Sequence, residues 1–281
     1  MKYVTQQILK TIKPRKRNAH KGAFGRVLII GGNDQFTGAP CHAALAAEAV
    51  LRSGADYVTV AAPEKVAWAI NTLSPDIVTT KVKTSKGHFE TKHATKMIAL
   101  AKKYDVIVIG CGLGDKSNGF VKKFCKKVNK PKVIDADAIK CLGLQDVKNA
   151  IFTPHLYEYS FLVKNSKMKN ILRLQKYFGT NVVLRKASHD RIICKDKIVF
   201  NKTGNPVMTK AGTGDVLAGL VAGFLAQLVK QKGKKKLLDK LFTAACLGAY
   251  INGKVGDYLK KKRGRTFIAS DLVKHLHKVY K

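Results

Sequence analysis

Acidic side chains are scarce in this 281-residue chain: Asp and Glu number 18 against 53 Lys and Arg, a formal net charge of +35. Arginine is scarce as well, at nine of those 53, and there is a single tryptophan. Readers of bases and phosphates lean on arginine's planar fork and on interleaved aromatics. The lysine-rich runs at 13–17, 122–127, 230–236 and 260–265 therefore read as solvated surface and not as a specific nucleic-acid interface. Their field still favours small anionic substrates such as nucleotides. Paired cysteines are missing too. Six cysteines (41, 111, 125, 141, 194 and 246) stand apart, with no Cys-x-x-Cys and no histidine cluster beside them. That argues against a zinc framework or a disulfide scaffold and for buried free thiols in a reducing compartment. The longest nearly uncharged apolar run, Val216 to Val229, is short for a bilayer, and no charged-apolar-small leader opens the chain. The expectation is a soluble cytoplasmic protein with no membrane partner.

What is present is alternation. Near-continuous apolar runs at 26–30, 57–62, 76–80, 105–110, 132–137 and 181–185 have the composition of strands buried on both faces. Helical patterns lie between them, for example at 40–53, 91–103 and 117–129, and the last third reads as helices at 214–229, 235–254 and 269–280. Residues 191–201 suggest a hairpin turning near Lys195-Asp196. This order predicts an α/β fold, a largely parallel, doubly wound sheet with helices on both faces, in one domain spanning 1–281. In such sheets ligands bind where strand carboxyl ends meet glycine-rich turns. Four such turns stand out: GGNDQFTGAP from Gly31, GCGLGD from Gly110, DAD from Asp135, and GNPVMTKAGTGD from Gly204.

The last of these carries the chemistry. Gly212 and Gly214 let backbone approach a ligand, and the helix starting near Asp215 points its free N–H groups and positive dipole end into the loop. That makes an anion hole for a phosphate. Asp215 has a plain meaning, an N-cap or first-turn carboxylate. It also has a chemical one, a base that deprotonates a hydroxyl as that oxygen attacks a phosphoryl group held in the hole. No Walker loop is present.

AGTGDVLAG (211–219) resembles the signature of the ribokinase-like superfamily, and of the ADP- or ATP-dependent NAD(P)H-hydrate dehydratase family within it. The match continues in order through HKGAFGRVLIIGG (20–32), FTGAP (36–40), LRSGADYVTVAAPE (51–64), GCGLG (110–114), DADAI (135–139), TPHLYE (153–158) and TGNPVM (203–208). It covers the dehydratase domain alone, without the epimerase domain that some members carry. The resemblance implies a ribokinase-like lyase that repairs nicotinamide nucleotides. It would phosphorylate the 6-hydroxyl of NADH hydrate or NADPH hydrate with ADP or ATP and then eliminate phosphate. It implies Asp215 as base, the backbone of Gly212, Thr213 and Gly214 as phosphoryl hole, and Ala39, Gly112 and His155 as hydrate-binding positions. For the adenine nucleotide it implies Arg185, Lys186, Ala187, Ser188 and His189, together with Gly214. It also implies Mg²⁺ and a homo-oligomer, a tetramer. The resemblance names no metal ligand, and Asp135, Asp137 and Glu158 are the candidates. Cys111 stands where members usually have Pro. Arg185, Lys186 and His189 stand where they have Lys, Gly and Thr, and Leu156-Tyr157 replaces Pro-Gly. Three rival readings are a ribokinase-like vitamin or sugar kinase, a polyanion-binding protein, and a Rossmann oxidoreductase built on GCGLGD. The last of these has Asp115 where that fingerprint needs its final glycine.

Overall fold

The computed structural model describes all residues except 16, 37, 168–176, 234 and 281, and of Pro40 it describes the backbone alone. Thr37 of the FTGAP motif, Lys16 and Lys234 of the lysine runs therefore lie outside the described residues. Seven strands lie parallel: β1 (Arg26–Ile30), β2 (Tyr57–Pro63), β3 (Val78–Val82), β4 (Val106–Ile109), β5 (Lys132–Ile134), β6 (Ala150–Phe152) and β7 (Val182–Arg185). Two more, β8 (Asp190–Ile193) and β9 (Ile198–Asn201), continue antiparallel, giving the order β3-β2-β1-β4-β5-β6-β7-β8-β9. The predicted hairpin is β8–β9, closed by the Cys194 amide donating to the Lys197 carbonyl at 2.9 Å. The loop 186–189 is itself a second hairpin turn between β7 and β8.

Strand β1 shows why the sheet is covered on both faces. Val27 and Ile29 enter one core with α1 (Ala39–Arg52), α2 (Glu64–Leu73), α7 (Thr213–Lys230), α8 (Leu237–Arg263) and α9 (Ala269–His275). Leu28 and Ile30 enter the other, with α3 (Ala94–Ala101), α4 (Asn118–Lys127), α5 (Asp137–Cys141) and α6 (Leu156–Asn165). Alternate residues of a strand face opposite sides, so a run apolar at every position is what two covered faces require.

Helix α7 is long and apolar enough to span a membrane by length and composition, yet it is mostly buried inside the fold. It lies against the alanine-rich α1, where a Cβ on Gly219 would come within 2.2 Å of the Ala46 carbonyl oxygen. Only glycine allows that approach, and the approach brings the start of α7 beside the start of α1. The chain turns back on itself at β1: β2 lies on one side and β4 on the other. That switch point opens a crevice at the strand carboxyl ends, the usual ligand position in such sheets.

Several boundaries differ from the sequence pattern. The strand expected at 76–80 runs over Val78–Val82, because Ile77 is buried and its carbonyl accepts from the Asn71 side chain at 2.9 Å. Asp135–Asp137 leave the sheet after β5. Helix α8 runs to Arg263, nine residues past the expected end, because Gly253 and Gly256 serve close contacts with Thr203 and Met208 instead of terminating the helix. Residues 276–278 form a 3-10 turn after α9. Strand β6, three buried residues long, had no periodicity to reveal it.

Candidate functional site

The loop 204–212 delivers the chain to α7 through Gly212, whose φ of 85° is left-handed and whose Cβ, if present, would lie 2.9 Å from Leu45 and 3.0 Å from Ala269. A side chain there is excluded on both counts. Thr213 locks the turn: its hydroxyl lies 2.8 Å from the Met208 and Lys210 carbonyls, and its amide donates to Lys210 at 3.3 Å. The Thr213 amide is thus engaged, while those of Gly212, Gly214 and Asp215 make no hydrogen bond among the described residues. Free donors at a helix N-terminus are the kind of group that can receive an anion.

Asp215 is buried on the first turn of α7. Its carboxylate, the Cys111 thiol and the Asp135 carboxylate offer atoms that all lie within 4.8 Å of one another. His42 Nδ1 is 3.9 Å from Asp215 Oδ2. Burial first, and then the negative charge of Asp135, push the Asp215 pKa up to about 6, against the opposing pull of His42, Cys111 and Lys186. Burial and the same two carboxylates hold the Cys111 thiol well above its ordinary range, so it is a neutral neighbour. A carboxylate titrating near neutrality in a crevice is suited to general-base work.

Asp135 is turned toward the site by Ala136, a non-glycine residue with φ of 46° and ψ of −124°. Strain of that kind persists where the surrounding structure over-determines the backbone. The Asp135 carboxylate accepts from the Thr153 hydroxyl at 2.6 Å and from Lys186 Nζ at 3.3 Å. Lys186 also lies 3.6 Å from Glu158. Burial pulls the Lys186 pKa down, but the charges of Asp135 and Glu158 outweigh it and the net shift is upward, so the ammonium stays charged. The three candidate metal ligands all line one cavity with Asp215, and of them Asp135 is the one clustered with Asp215 and Cys111. Asp137 accepts from the Gly114 amide at 2.8 Å and from Lys140 at 2.7 Å, and so holds the 112–114 turn. Glu158 accepts from the His155 amide at 2.9 Å in a capping box at the start of α6.

Two cavities meet here. One, of about 470 Å³, is lined by Phe36, Ala39, His42, Gly112, Asp135 and Asp215 among others. Ala39 and Gly112 touch: a Cβ on Gly112, whose φ is 62°, would come within 2.7 Å of the Ala39 Cβ. The other, of about 750 Å³, lies between the 186–190 turn, the 203–211 loop and α8, and is lined by Ala187, Ser188, Asn205, Met208 and Asn252 among others. His155, Lys186, Ala211 and Gly214 belong to both. His155 Nδ1 accepts from the amides of Tyr157 and Glu158 at 3.1 and 3.3 Å, which places the ring proton on Nε2.

The structure therefore brings together Asp215, Gly214, Ala39, Gly112, His155, Lys186, Ala187 and Ser188. It does not bring Arg185 or His189 to either cavity. The Arg185 guanidinium lies 5.2 Å over the Tyr159 ring, and Lys186 is the residue of that pair that lines both cavities. His42 was missed by the sequence reading. Its signal was its place three residues after Ala39, on the same face of a helix. The cysteine expectation also needs correction: Cys41 is exposed on the first turn of α1, and the other five are buried.

A family model described as NAD(P)H-hydrate dehydratase matches residues 27–278. Among curated relatives, the bifunctional NAD(P)H-hydrate repair enzyme Nnr of Methanothermobacter thermautotrophicus is 37% identical over 279 residues, covering 93% of this chain and 51% of that one. The chain spans about half the length of the curated relatives it matches. Among solved structures, a ribokinase-like superfamily protein of Enterococcus faecalis superimposes with a TM-score of 0.79 at 26% identity, covering 99% of this chain and 94% of that one. An ADP/ATP-dependent NAD(P)H-hydrate dehydratase of Bacillus subtilis, co-crystallised with ATP and Mg²⁺, gives 0.77 at 22% identity, covering 100% and 99%.

Proposed function

Because the chain belongs to the NAD(P)H-hydrate dehydratase family, we propose that it repairs hydrated NADH or NADPH by nucleotide-driven dehydration. The nicotinamide end of the hydrate occupies the 470 Å³ cavity and an adenine nucleotide, ADP or ATP, the 750 Å³ one. The observation that carries this reading is the shared wall: a buried carboxylate on one side, free helix N-terminal amides and a held ammonium at the junction.

Chemistry follows from that arrangement. Asp215 accepts the proton of the 6-hydroxyl as its oxygen attacks the terminal phosphorus, and the phosphorus–oxygen bond to the rest of the nucleotide breaks. The Gly214 and Asp215 amides and Lys186 meet the charge on the transferring group, which is most of what such a reaction asks of a protein. The new phosphate ester leaves far more readily than hydroxide. The ring nitrogen's lone pair expels phosphate, and loss of a proton from the adjacent ring carbon restores the dihydronicotinamide.

The donor set fits a hard divalent cation such as Mg²⁺ in part. The carboxylates of Asp135 and Asp215 suit it, and the Cys111 thiol does not. Asp135 is the residue that would hold the ion, along with nucleotide phosphates and water, and the ion would supply charge neutralisation for the phosphoryl oxygens. The family resemblance of the sequence motifs implies a homo-oligomer and a cytoplasmic location, and the six cysteines are free thiols, as a reducing compartment would keep them.

Asp215→Asn tests the assignment. Turnover is expected to fall at least about a hundredfold, as loss of a general base does, while affinity for the nucleotide and the hydrate stays within a few-fold. Full activity in the variant removes Asp215 from the role of base.

A further inference from the structure

A third cavity, of about 1080 Å³, opens at the carboxyl ends of β2 and β3, outside the catalytic pair. It is lined by Trp68, by Lys65, Lys83, Lys86 and Lys92, and by the 34–35 loop. Trp68 is the chain's single tryptophan and is 57% exposed. An indole left open on the surface of α2 is not explained by the core, which that helix enters through Val66, Ala67 and Ile70. Lys81 Nζ sits 3.4 Å from the ring centroid, a cation–π contact that engages one face of the indole. Of the four lining lysines, Lys86 and Lys92 are tied to Glu90 at 3.9 and 3.0 Å. Lys65 and Lys83 make no ion pair among the described residues. Two carboxylates, Asp34 and Glu64, also line the cavity, so the four ammonium groups leave it net positive.

The position matters as much as the lining. Neighbouring strands are about 4.8 Å apart, and three and a half steps along the sheet order separate β5, which delivers Asp135, from the β2–β3 pair. The cavity thus lies about 17 Å from the catalytic centre along the same sheet edge. That is within the span of one extended dinucleotide. The ridge between them is fixed on both sides. The Asp34 amide donates to the Gly87 carbonyl at 3.0 Å, and the Asn33 side chain donates to the Leu113 carbonyl at 3.0 Å. Phe36 on that ridge faces the 470 Å³ cavity while Asp34 and Gln35 face the third. Lys116 Nζ, 3.1 Å from Gln35 Oε1, places a further positive charge at the crossing, where a pyrophosphate would pass.

Resting on the dehydratase reading, we infer that this cavity takes the 2′-phosphoadenosine end of NADPH hydrate, with the purine against Trp68 and the 2′-phosphate among Lys65, Lys83 and their neighbours. Stacking on an aromatic ring tolerates the base, and the lysines read the phosphate as point charges. The cavity then makes the enzyme prefer the phosphorylated dinucleotide.

Tryptophan emission reports this cavity, because Trp68 has no fellow. The purified protein is titrated with adenosine 2′,5′-bisphosphate, 5′-AMP and ATP. A saturable change with the bisphosphate, at least about tenfold tighter than with 5′-AMP or ATP, is expected, as is its loss in the double variant Lys65→Ala with Lys83→Ala. In the same variant, KM for NADPH hydrate rises about tenfold and KM for NADH hydrate stays within twofold. A flat emission titration, equal affinity for the three ligands, or equal changes in both KM values overturns the inference. If the wild type turns over neither hydrate yet still prefers the bisphosphate, the dehydratase reading fails and the subsite stands. Turnover with flat emission sinks the subsite alone.

Discussion

Asp215 holds a charge that the fold disfavours, and removing it should stabilise the protein. In the folded state its carboxyl titrates near 6, against an ordinary value of 3.8. A gap of about two units corresponds to about 3 kcal/mol between protonated and ionised forms. The sign follows from linkage. A raised folded pKa means the native state binds the proton more tightly than the unfolded chain does. The wild type therefore carries this stability in full below about pH 4 and loses it as pH rises through about 6. Asn at 215 keeps a similar shape without the charge and gives up only the helix-terminus attraction, about 0.3–1 kcal/mol. Urea unfolding of the wild type and Asp215→Asn at several pH values is the assay. The variant is expected to be more stable by about 2 kcal/mol above pH 7, a gain of roughly 4–8 °C in Tm for a chain of this size. The gap should close as pH falls from 6 to 4. A variant less stable than wild type at pH 7.5, or a difference that does not move with pH, would refute the claim that Asp215 is a strained, buried base.

Three other outcomes follow. Ala136→Gly relieves a backbone conformation that glycine adopts freely and should raise stability by about 1 kcal/mol after the entropy of the unfolded glycine is counted; a loss in urea midpoint would contradict the strain. An aromatic disulfide reagent should label one thiol quickly in the native protein, Cys41, and all six after unfolding. Burial pushes Cys125 and Cys246 up to about 12, so rapid labelling of either would show the cores to be open. Gly212→Ala should cost at least about 1–2 kcal/mol, because its left-handed turn and its contacts with Leu45 and Ala269 leave no room for a methyl group; an unchanged midpoint would contradict the close packing at the start of α7.

Much of this was legible because the two signals that matter are local. Strands covered on both faces must be apolar at every position, so β1, β2, β4 and β7 announced themselves, and the glycines before Asp215 announced a turn into a helix. Strand β6 has three residues and no periodicity to detect. Helix α8 carries glycines that read as a stop until Thr203 and Met208 are seen packed against them. At the site, Asp215, Ala39, Gly112 and His155 could be named in advance. The choice between Arg185 and Lys186 could not, because it depends on which of two successive side chains a strand end turns toward Asp135 and which toward Tyr159. The pairing of Asp215 with Cys111, Asp135 and His42 joins four separate elements, and no spacing within one segment encodes it.

The central claim is nucleotide-dependent dehydration. It is tested most directly by incubating purified protein with NADH hydrate and following the near-ultraviolet absorbance of the reduced nicotinamide ring with ADP, with ATP and with neither. The account predicts recovery of that absorbance with at least one nucleotide, one phosphate released per ring restored, and almost none with Asp215→Asn. Recovery that proceeds equally without nucleotide, or no recovery with either, would contradict it.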